Sequence, residues 1–203
     1  MRLLLIRHGQ TDSNARQLLD TAVPGADLND IGRGQARALV GKLERQPLDV
    51  IVVSDLVRAQ QTAAPLAAAR GLEPLVRSGV REIQAGDLEM AGDDESWDQY
   101  LSTLNRWAAG DSAARVPGGE NGQDLLARFD TVVAEAGQEG RRSAAIVSHG
   151  AAIRAWTGAR ATNIDTDFAA NTRLGNTAVI ILEAGPGTGW AVQTWADTAP
   201  PKV

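Results

Sequence analysis

Two segments of this chain share one design, a short apolar run that ends in a histidine followed directly by a glycine. They cover residues 3–9 and 144–150, and together they contain both histidines of the 203-residue chain. Each run has the length and composition of a buried β-strand. In an open α/β sheet, reacting groups collect where strands end at their carboxyl side. The matched pair therefore predicts an α/β sheet with His8 and His149 at reactive strand ends. The alternative is a pair of histidines that are merely hydrogen-bonded inside a core.

Strands and helices alternate along most of the chain, which predicts a three-layer α/β/α fold with a mostly parallel central sheet. Further strands are predicted at 49–53 and 72–76, and a terminal hairpin at 177–182 and 190–195 around Gly185-Pro186-Gly187. Helices are predicted over about 30–45 after an Asn29 cap and with Ile31 as an apolar position, then up to Gly71, over 124–136, and from His149 to about residue 159. Pro65 should kink or divide the helix that ends at Gly71.

Residues 84–118 depart from this alternation, because they are acidic and close with Pro117-Gly118-Gly119. We predict one domain over residues 1–203, with this segment as a small inserted helical cap. Trp97 and Trp107 in the insert could line a pocket, although their helical spacing is more typical of a core. Residues 198–203 are expected to form a frayed tail.

The composition excludes several kinds of function. A net charge of −5 argues against a nucleic-acid or anionic-membrane surface. The absence of cysteine excludes disulfides, thiolate zinc sites and cysteine nucleophiles, and it fits a cytoplasmic protein. No apolar run approaches the length of a membrane span or a signal-peptide core. With two histidines the chain offers a poor transition-metal site, so we expect no metal and no cofactor.

The polar residues after the first strand suit a tetrahedral oxyanion. They are Arg7, His8, Gly9, Gln10, Thr11 and Asn14. Arginine supplies a bidentate charged contact, and glycine lets backbone N–H groups approach. After the second strand, Arg58 follows Ser54 at a predicted helix start, where an anion is also favoured. Glu82 is a carboxylate near the same edge of the sheet. Together these groups indicate phosphoryl transfer to a histidine nucleophile.

At this point the chain resembles the histidine phosphatase superfamily, the phosphoglycerate-mutase-like group. The matching motifs are Arg7 to Thr11 with Asn14, then Ser54, Arg58, Ala59 and Thr62, then Arg81-Glu82, Pro117 to Asn121, His149-Gly150 and Asn176-Thr177. The family often has tryptophan and glycine where this chain has Leu88 and Met90, and serine at Asn121. These differences lie around the mouth of the expected site, so they bear on substrate identity.

The resemblance implies a role for each matching residue. His8 attacks phosphorus, and Arg7, Arg58 and His149, with Asn14, hold the phosphoryl oxygens. Gly9, Gln10, Thr11 and Gly150 are expected at the same phosphate site. Glu82 exchanges protons with the leaving group and with water, and Asp87 and Glu89 are the alternative acids.

The implied activity is a metal-independent phosphomonoesterase that acts on a small phosphorylated metabolite through a phosphohistidine. A phosphoglycerate-type mutase is the first alternative, but the run after Glu82 lacks the histidine and tyrosine that such mutases carry. A catalytically inactive module that binds a phosphorylated ligand is the second alternative. The sequence leaves the substrate open, and it leaves the oligomeric state open with a homodimer as one option.

Overall fold

A six-stranded sheet forms the centre of the molecule, with strand order β3-β2-β4-β1-β5-β6. The computed structural model describes residues 1–185 and 187–198. The strands are β1 Arg2–Arg7, β2 Val50–Val53, β3 Leu75–Val76, β4 Ser143–Ser148, β5 Val179–Ala184 and β6 Trp190–Trp195. The helices are α1 Asp12–Ala15, α2 Asp30–Lys42, α3 Val57–Arg70, α4 Asp94–Ala108, α5 Gly122–Ala136, α6 Gly150–Arg160 and α7 Thr166–Asn171. Pro186 and residues 199–203 lie outside the described residues, and so does most of the predicted tail.

The sheet is mostly parallel, as the sequence predicts. β1 pairs in parallel with β4, β4 with β2, and β2 with β3, whereas β5 and β6 are antiparallel additions at one side. Strands buried on both faces have continuous apolar sequences, which is the pattern of β1, β2 and β4. In the β1–β4 register Arg7 lies opposite Ser148, so the residues that follow, His8 and His149, leave the sheet side by side.

Successive residues of the central strands point to opposite faces of the sheet, which creates two cores. Leu3 and Leu5 pack on one face with Phe129 of α5 and Trp156 of α6. On the other face, Leu4 and Ile6 pack with Leu39 of α2 and Leu66 of α3. Helices therefore cover both faces, and the predicted three-layer arrangement is confirmed.

Some local predictions are wrong. Pro65 does not divide α3, because buried residues on both sides of it, among them Ala63 and Leu66, keep one helix packed against the sheet; the predicted kink stays a prediction. Ile31 in α2 is 60% exposed and belongs to neither core. Helices α1 and α7 were not predicted from the sequence.

The segment between β3 and α5 contains α4, whose first turn is capped by Asp93. This helix contacts α6 and α7, on the side of the sheet where α5 also lies. None of the described helices combines the length and the hydropathy needed to cross a bilayer.

Candidate active site

The two histidines meet at the carboxyl edge of the sheet. Their ring centroids are 5.0 Å apart and the ring planes are inclined by 56°. Both side chains are buried. The parallel pairing of β1 and β4 explains this contact, because equivalent strand ends place equivalent residues next to each other.

The hydrogen bonds of His8 define which ring nitrogen is reactive. Nδ1 lies 2.6 Å from the carbonyl oxygen of Gly9, which can only accept, so Nδ1 carries the proton. Nε2 then keeps a lone pair, and it accepts a hydrogen bond of 3.2 Å from Nε of Arg58. Burial, then the positive charges of Arg58 and Arg7, lower the pKa of His8 well below 6.5. A neutral imidazole with an unprotonated Nε2 is a competent nucleophile at neutral pH.

The two arginines of the site are held by different backbone carbonyls. Arg58 extends from the first turn of α3, and its Nη2 donates to the carbonyl of Asp20 at 2.7 Å. Its Nη1 lies 3.4 Å from the Asp20 carboxylate, in a pair that is almost completely buried. Arg7 donates from Nη1 to the carbonyl of Leu174 at 2.7 Å. Its buried Nε has no hydrogen-bond partner among the described residues. Burial lowers the pKa of both guanidinium groups. They remain charged, because an arginine pKa begins so high.

His149 offers one free nitrogen. Its Nε2 lies 2.9 Å from the hydroxyl of Ser54, while its buried Nδ1 has no partner within the described part of the chain. The Ser54 oxygen accepts from the N–H of Leu56 and can donate its own proton to Nε2. Nδ1 then carries the ring proton and is free to donate to an oxyanion. Burial, then the charge of Arg58, lower the pKa of His149 well below 6.5.

Glu82 is fixed at the amino end of α6. One carboxylate oxygen accepts from the N–H groups of Ala152 at 2.8 Å and Ile83 at 2.9 Å, and the other accepts from Ala151 at 3.1 Å. The positive end of the helix dipole favours a negatively charged side chain at this position. The alternative acids are placed elsewhere, since neither Asp87 nor Glu89 lines the cleft that contains Glu82.

That cleft has a volume of about 240 Å³. Its lining includes the predicted residues Arg7, His8, Asn14, Arg58, Glu82 and Gly150. Asn14 uses its carbonyl oxygen to accept from Thr11 N–H and from Nδ2 of Asn176, which leaves its own NH₂ group as a donor. Gly150 lies against Arg7, because a Cβ at this glycine would be 3.2 Å from the Arg7 Nε.

Four predicted phosphate-binding residues do not line the cleft: the fully buried His149, which lies against His8, and Gly9, Gln10 and Thr11. The chain turns away from the sheet edge after His8, and Gly9 donates its N–H to the Thr62 hydroxyl at 2.9 Å. Gln10 is hydrogen-bonded to Gln35 and Asn29, and Thr11 caps α1. Close packing requires glycine at position 9, since a Cβ there would be 2.8 Å from the carbonyl oxygen of Gly32. Gly9, Gln10 and Thr11 are therefore engaged by protein partners, and their contact with phosphate stays a prediction.

Other cleft residues were not predicted as site residues from the sequence. They are Leu18, Leu19, Asp20, Thr21, Tyr100, Leu101, Ala151, Arg154, Asn171, Arg173 and Leu174. Both tryptophans pack against the core; Trp97 also lines the cleft and donates its indole N–H to the carbonyl of Gln17, whereas Trp107 lines a separate pocket. Among these residues, Arg154 had a signal in the sequence: it lies four positions after Gly150, so on a helix it lies on the same face as that glycine.

Comparisons with known proteins agree with this geometry. A family model described as "Histidine phosphatase superfamily (branch 1)" matches residues 3–198. Glucosyl-3-phosphoglycerate phosphatase of Mycobacterium tuberculosis is 35% identical over 169 residues, which cover 78% of this chain and 74% of that protein. Phosphoglycerate mutase-like protein 4 of Arabidopsis thaliana is 28% identical over 97% of this chain and 85% of its own length.

Solved structures extend the similarity to the fold. The structure of the mycobacterial glucosyl-3-phosphoglycerate phosphatase with VO3 superposes with a TM-score of 0.78 at 30% identity, covering 96% of this chain and 98% of that one. A different relative, the Mycobacterium tuberculosis PE-PGRS family protein PE_PGRS11, is 49% identical over 85 residues, but this chain spans only 15% of its length. From the match over nearly the whole sequence, the chain belongs to branch 1 of the histidine phosphatase superfamily.

Proposed function

We propose that the protein hydrolyses small phosphate monoesters in two steps through a phosphohistidine at His8. The observation that carries this proposal is the state of the His8 ring, whose Nδ1 proton is fixed on the Gly9 carbonyl while Nε2 faces Arg58. Relatives named as phosphatases support the same reaction class.

In the first step, Nε2 of His8 attacks phosphorus as the P–O bond to the leaving group breaks. Glu82 enters this step as the carboxylic acid and gives its proton to the departing alkoxide. Arg7, Arg58 and the Nδ1–H of His149 face the equatorial oxygens, where charge accumulates in the transition state. The products are the free alcohol, a Glu82 carboxylate and a phosphorylated His8.

In the second step, a water molecule attacks the phosphoryl group of the phosphohistidine. The Glu82 carboxylate takes a proton from this water, and the P–N bond breaks to release phosphate. His8 and the acid form of Glu82 are both restored, so that one turnover consumes one ester and one water. No step requires a metal ion or a cofactor.

Hydrolysis is favoured over the two alternatives. A mutase must hold its product for the return of the phosphoryl group, and the histidine and tyrosine that mutases carry after the acid are absent after Glu82. An inactive binding module would not need a carboxylate for proton transfer, yet Glu82 lines the same cleft as the unprotonated Nε2 of His8. We therefore expect phosphate release to exceed mutase turnover on every phosphoglycerate substrate.

We also propose that the substrate is a small phosphorylated metabolite and that the protein works in the cytoplasm. The cleft supports a small substrate, because α4 limits one side of it with Trp97, Tyr100 and Leu101. In this proposal the segment 84–118 acts as a cap over a single domain. The absence of cysteine suits a reducing compartment.

The His8→Ala variant tests the covalent step. Turnover should disappear, and intact-protein mass spectrometry after a quench without acid should show one added phosphoryl group in the wild type only. Circular dichroism should show that the variant is folded. Turnover within tenfold of the wild type would exclude His8 as the nucleophile.

A further inference from the structure

Two cleft arginines have no role in the proposed phosphoryl transfer. Arg154 extends from α6 and Arg173 follows α7, and both line the same cleft as His8. Neither forms an ion pair with a carboxylate in residues 1–185 and 187–198. The cleft is therefore more positive than the phosphoryl site alone explains.

The carboxylates that line the cleft are already engaged. Asp20 accepts from the Ser13 hydroxyl at 2.7 Å and from the N–H of Ala26 at 3.1 Å, and it pairs with Arg58. Glu82 accepts three backbone N–H groups. Neither acid neutralises Arg154 or Arg173, so these two charges are available to a ligand.

The side chain of Arg154 is oriented by the protein. Its Nε donates to the carbonyl of Gly150 at 3.3 Å and its Nη1 to the carbonyl of Ala170, while its Nη2 has no partner in the described chain. Arg173 is exposed and forms no side-chain hydrogen bond to the described residues. Burial is the main cause that lowers the pKa of Arg7, and the charges of Arg154 and Arg173 lower it further. Both arginines therefore lie within electrostatic range of the phosphoryl site.

One glycine of α6 is close to an arginine of each site. Gly150 lies against the Nε of Arg7, and the carbonyl of the same glycine accepts from the Nε of Arg154 at 3.3 Å. The two guanidinium groups therefore approach one residue from the two sites. A group that binds Arg154 would therefore be attached close to the phosphoester oxygen.

We propose that Arg154 and Arg173 form a second anion subsite, which selects phosphate monoesters that carry a carboxylate or a second phosphate a few bonds from the ester. This inference rests on the proposed phosphatase activity and specifies its substrate class. Arg154 supplies an oriented N–H donor, and Arg173 closes the subsite from the mouth of the cleft.

The test compares esters that differ only in the second group. kcat/KM is measured for 3-phosphoglycerate and glycerol 3-phosphate, and separately for glycerol 1,3-bisphosphate. At least one acidic ester should exceed glycerol 3-phosphate by about tenfold to a hundredfold, the range of a charged hydrogen bond. The comparison of the two acidic esters then distinguishes a carboxylate from a phosphate as the preferred group.

The variants are Arg173→Met and Arg154→Met, with Arg37→Met on the distant helix α2 as the charge-matched control. In each subsite variant the acidic-to-neutral ratio should fall about tenfold or more, whereas the control should keep the wild-type ratio. Arg154 also ties α6 to α7, so Arg173→Met, which breaks no protein hydrogen bond, is the decisive variant. Arg173→Glu should instead favour phosphoethanolamine over 3-phosphoglycerate.

The ratio separates the two proposals, because general losses of activity cancel in it. Raised ionic strength should lower the wild-type ratio, since the subsite is open to solvent. A wild-type ratio near one for both acidic esters, or a ratio unchanged in Arg173→Met, would overturn the subsite while leaving the phosphatase in place. Absence of phosphate release from every ester would instead refute the proposed function.

Discussion

Replacing Glu82 with glutamine tests whether the carboxylate at the amino end of α6 transfers protons. The replacement preserves size and one acceptor oxygen, which can keep the hydrogen bonds from Ile83 and Ala152. The new NH₂ group would face the N–H of Ala151, which now donates to the second oxygen at 3.1 Å. One unsatisfied N–H costs about 1–3 kcal/mol of folding free energy. A typical stability of about 5–15 kcal/mol tolerates that loss, so the variant should fold.

The effect on catalysis should depend on the leaving group. An alkoxide is strongly basic and needs a proton as the P–O bond breaks, whereas 4-nitrophenolate departs largely unaided. General acid catalysis contributes about 10²- to 10⁴-fold, or about 3–5 kcal/mol. We expect Glu82→Gln to lose this factor in kcat/KM on glycerol 3-phosphate. On 4-nitrophenyl phosphate it should lose about tenfold or less.

Glu89→Gln is the matched control. Glu89 accepts from the N–H groups of Thr21 and Ala22, and it does not line the cleft. Both N–H groups donate to the same oxygen, which glutamine keeps, so only the acceptor of the Thr21 hydroxyl changes and any loss should be the same for both activities. If Glu82→Gln also reduced both activities equally, Glu82 would be a structural acid and the proton-transfer role would be refuted.

Three further outcomes follow from the site and its surroundings. Arg58→Lys should lower kcat/KM by about a hundredfold or more, because a single ammonium group cannot contact both His8 and Asp20; activity near that of the wild type would move Arg58 out of the mechanism. Because burial lowers the pKa of His8 and His149, the folded state binds fewer protons than the unfolded chain. Stability should therefore be complete above pH about 6.5 and fall below it by about 1.4 kcal/mol per pH unit for each histidine, and urea midpoints should show a shallower fall in His8→Asn. Met90 is exposed and has φ = 62°, so Met90→Gly should relieve about 1 kcal/mol of strain and raise Tm by about 2–4 °C, and an unchanged Tm would contradict this reading.

The central sheet and the meeting of the two histidines were predictable from local patterns. Continuous apolar runs identify strands that are buried on both faces, and parallel pairing aligns their carboxyl ends. The register that places Arg7 opposite Ser148 therefore follows from two short motifs. Glu82 was predictable for the same reason, since it comes soon after another strand.

The partners of Arg58 were not predictable. Asp20 lies in a polar loop. It becomes part of the site only through its contact with Arg58, which is 38 positions away in the sequence. No local periodicity encodes such a contact. Nor were the protein partners of residues 9–11 predictable: Gly9 donates to Thr62 of α3, Gln10 donates to Gln35 of α2, and Thr11 caps α1. Helix α7 did carry a local signal, the Asp165 cap that accepts from Phe168 N–H, but the helix is short.

The donors of the site are positioned by the protein itself, and in the proposed mechanism this favours the transition state. The buried Nε of Arg7 and Nδ1 of His149 have no protein partner among the described residues. The pKa of each arginine and each histidine in the site is lowered by burial. In the proposed mechanism the phosphoryl oxygens accept hydrogen bonds from the Nε of Arg7 and the Nδ1 of His149. The donors are already fixed by Leu174, Ser54 and Asp20, so little reorganisation remains when charge reaches the equatorial oxygens. In the proposed mechanism, folding of the sheet and its flanking helices therefore positions these donors before the phosphoryl group arrives.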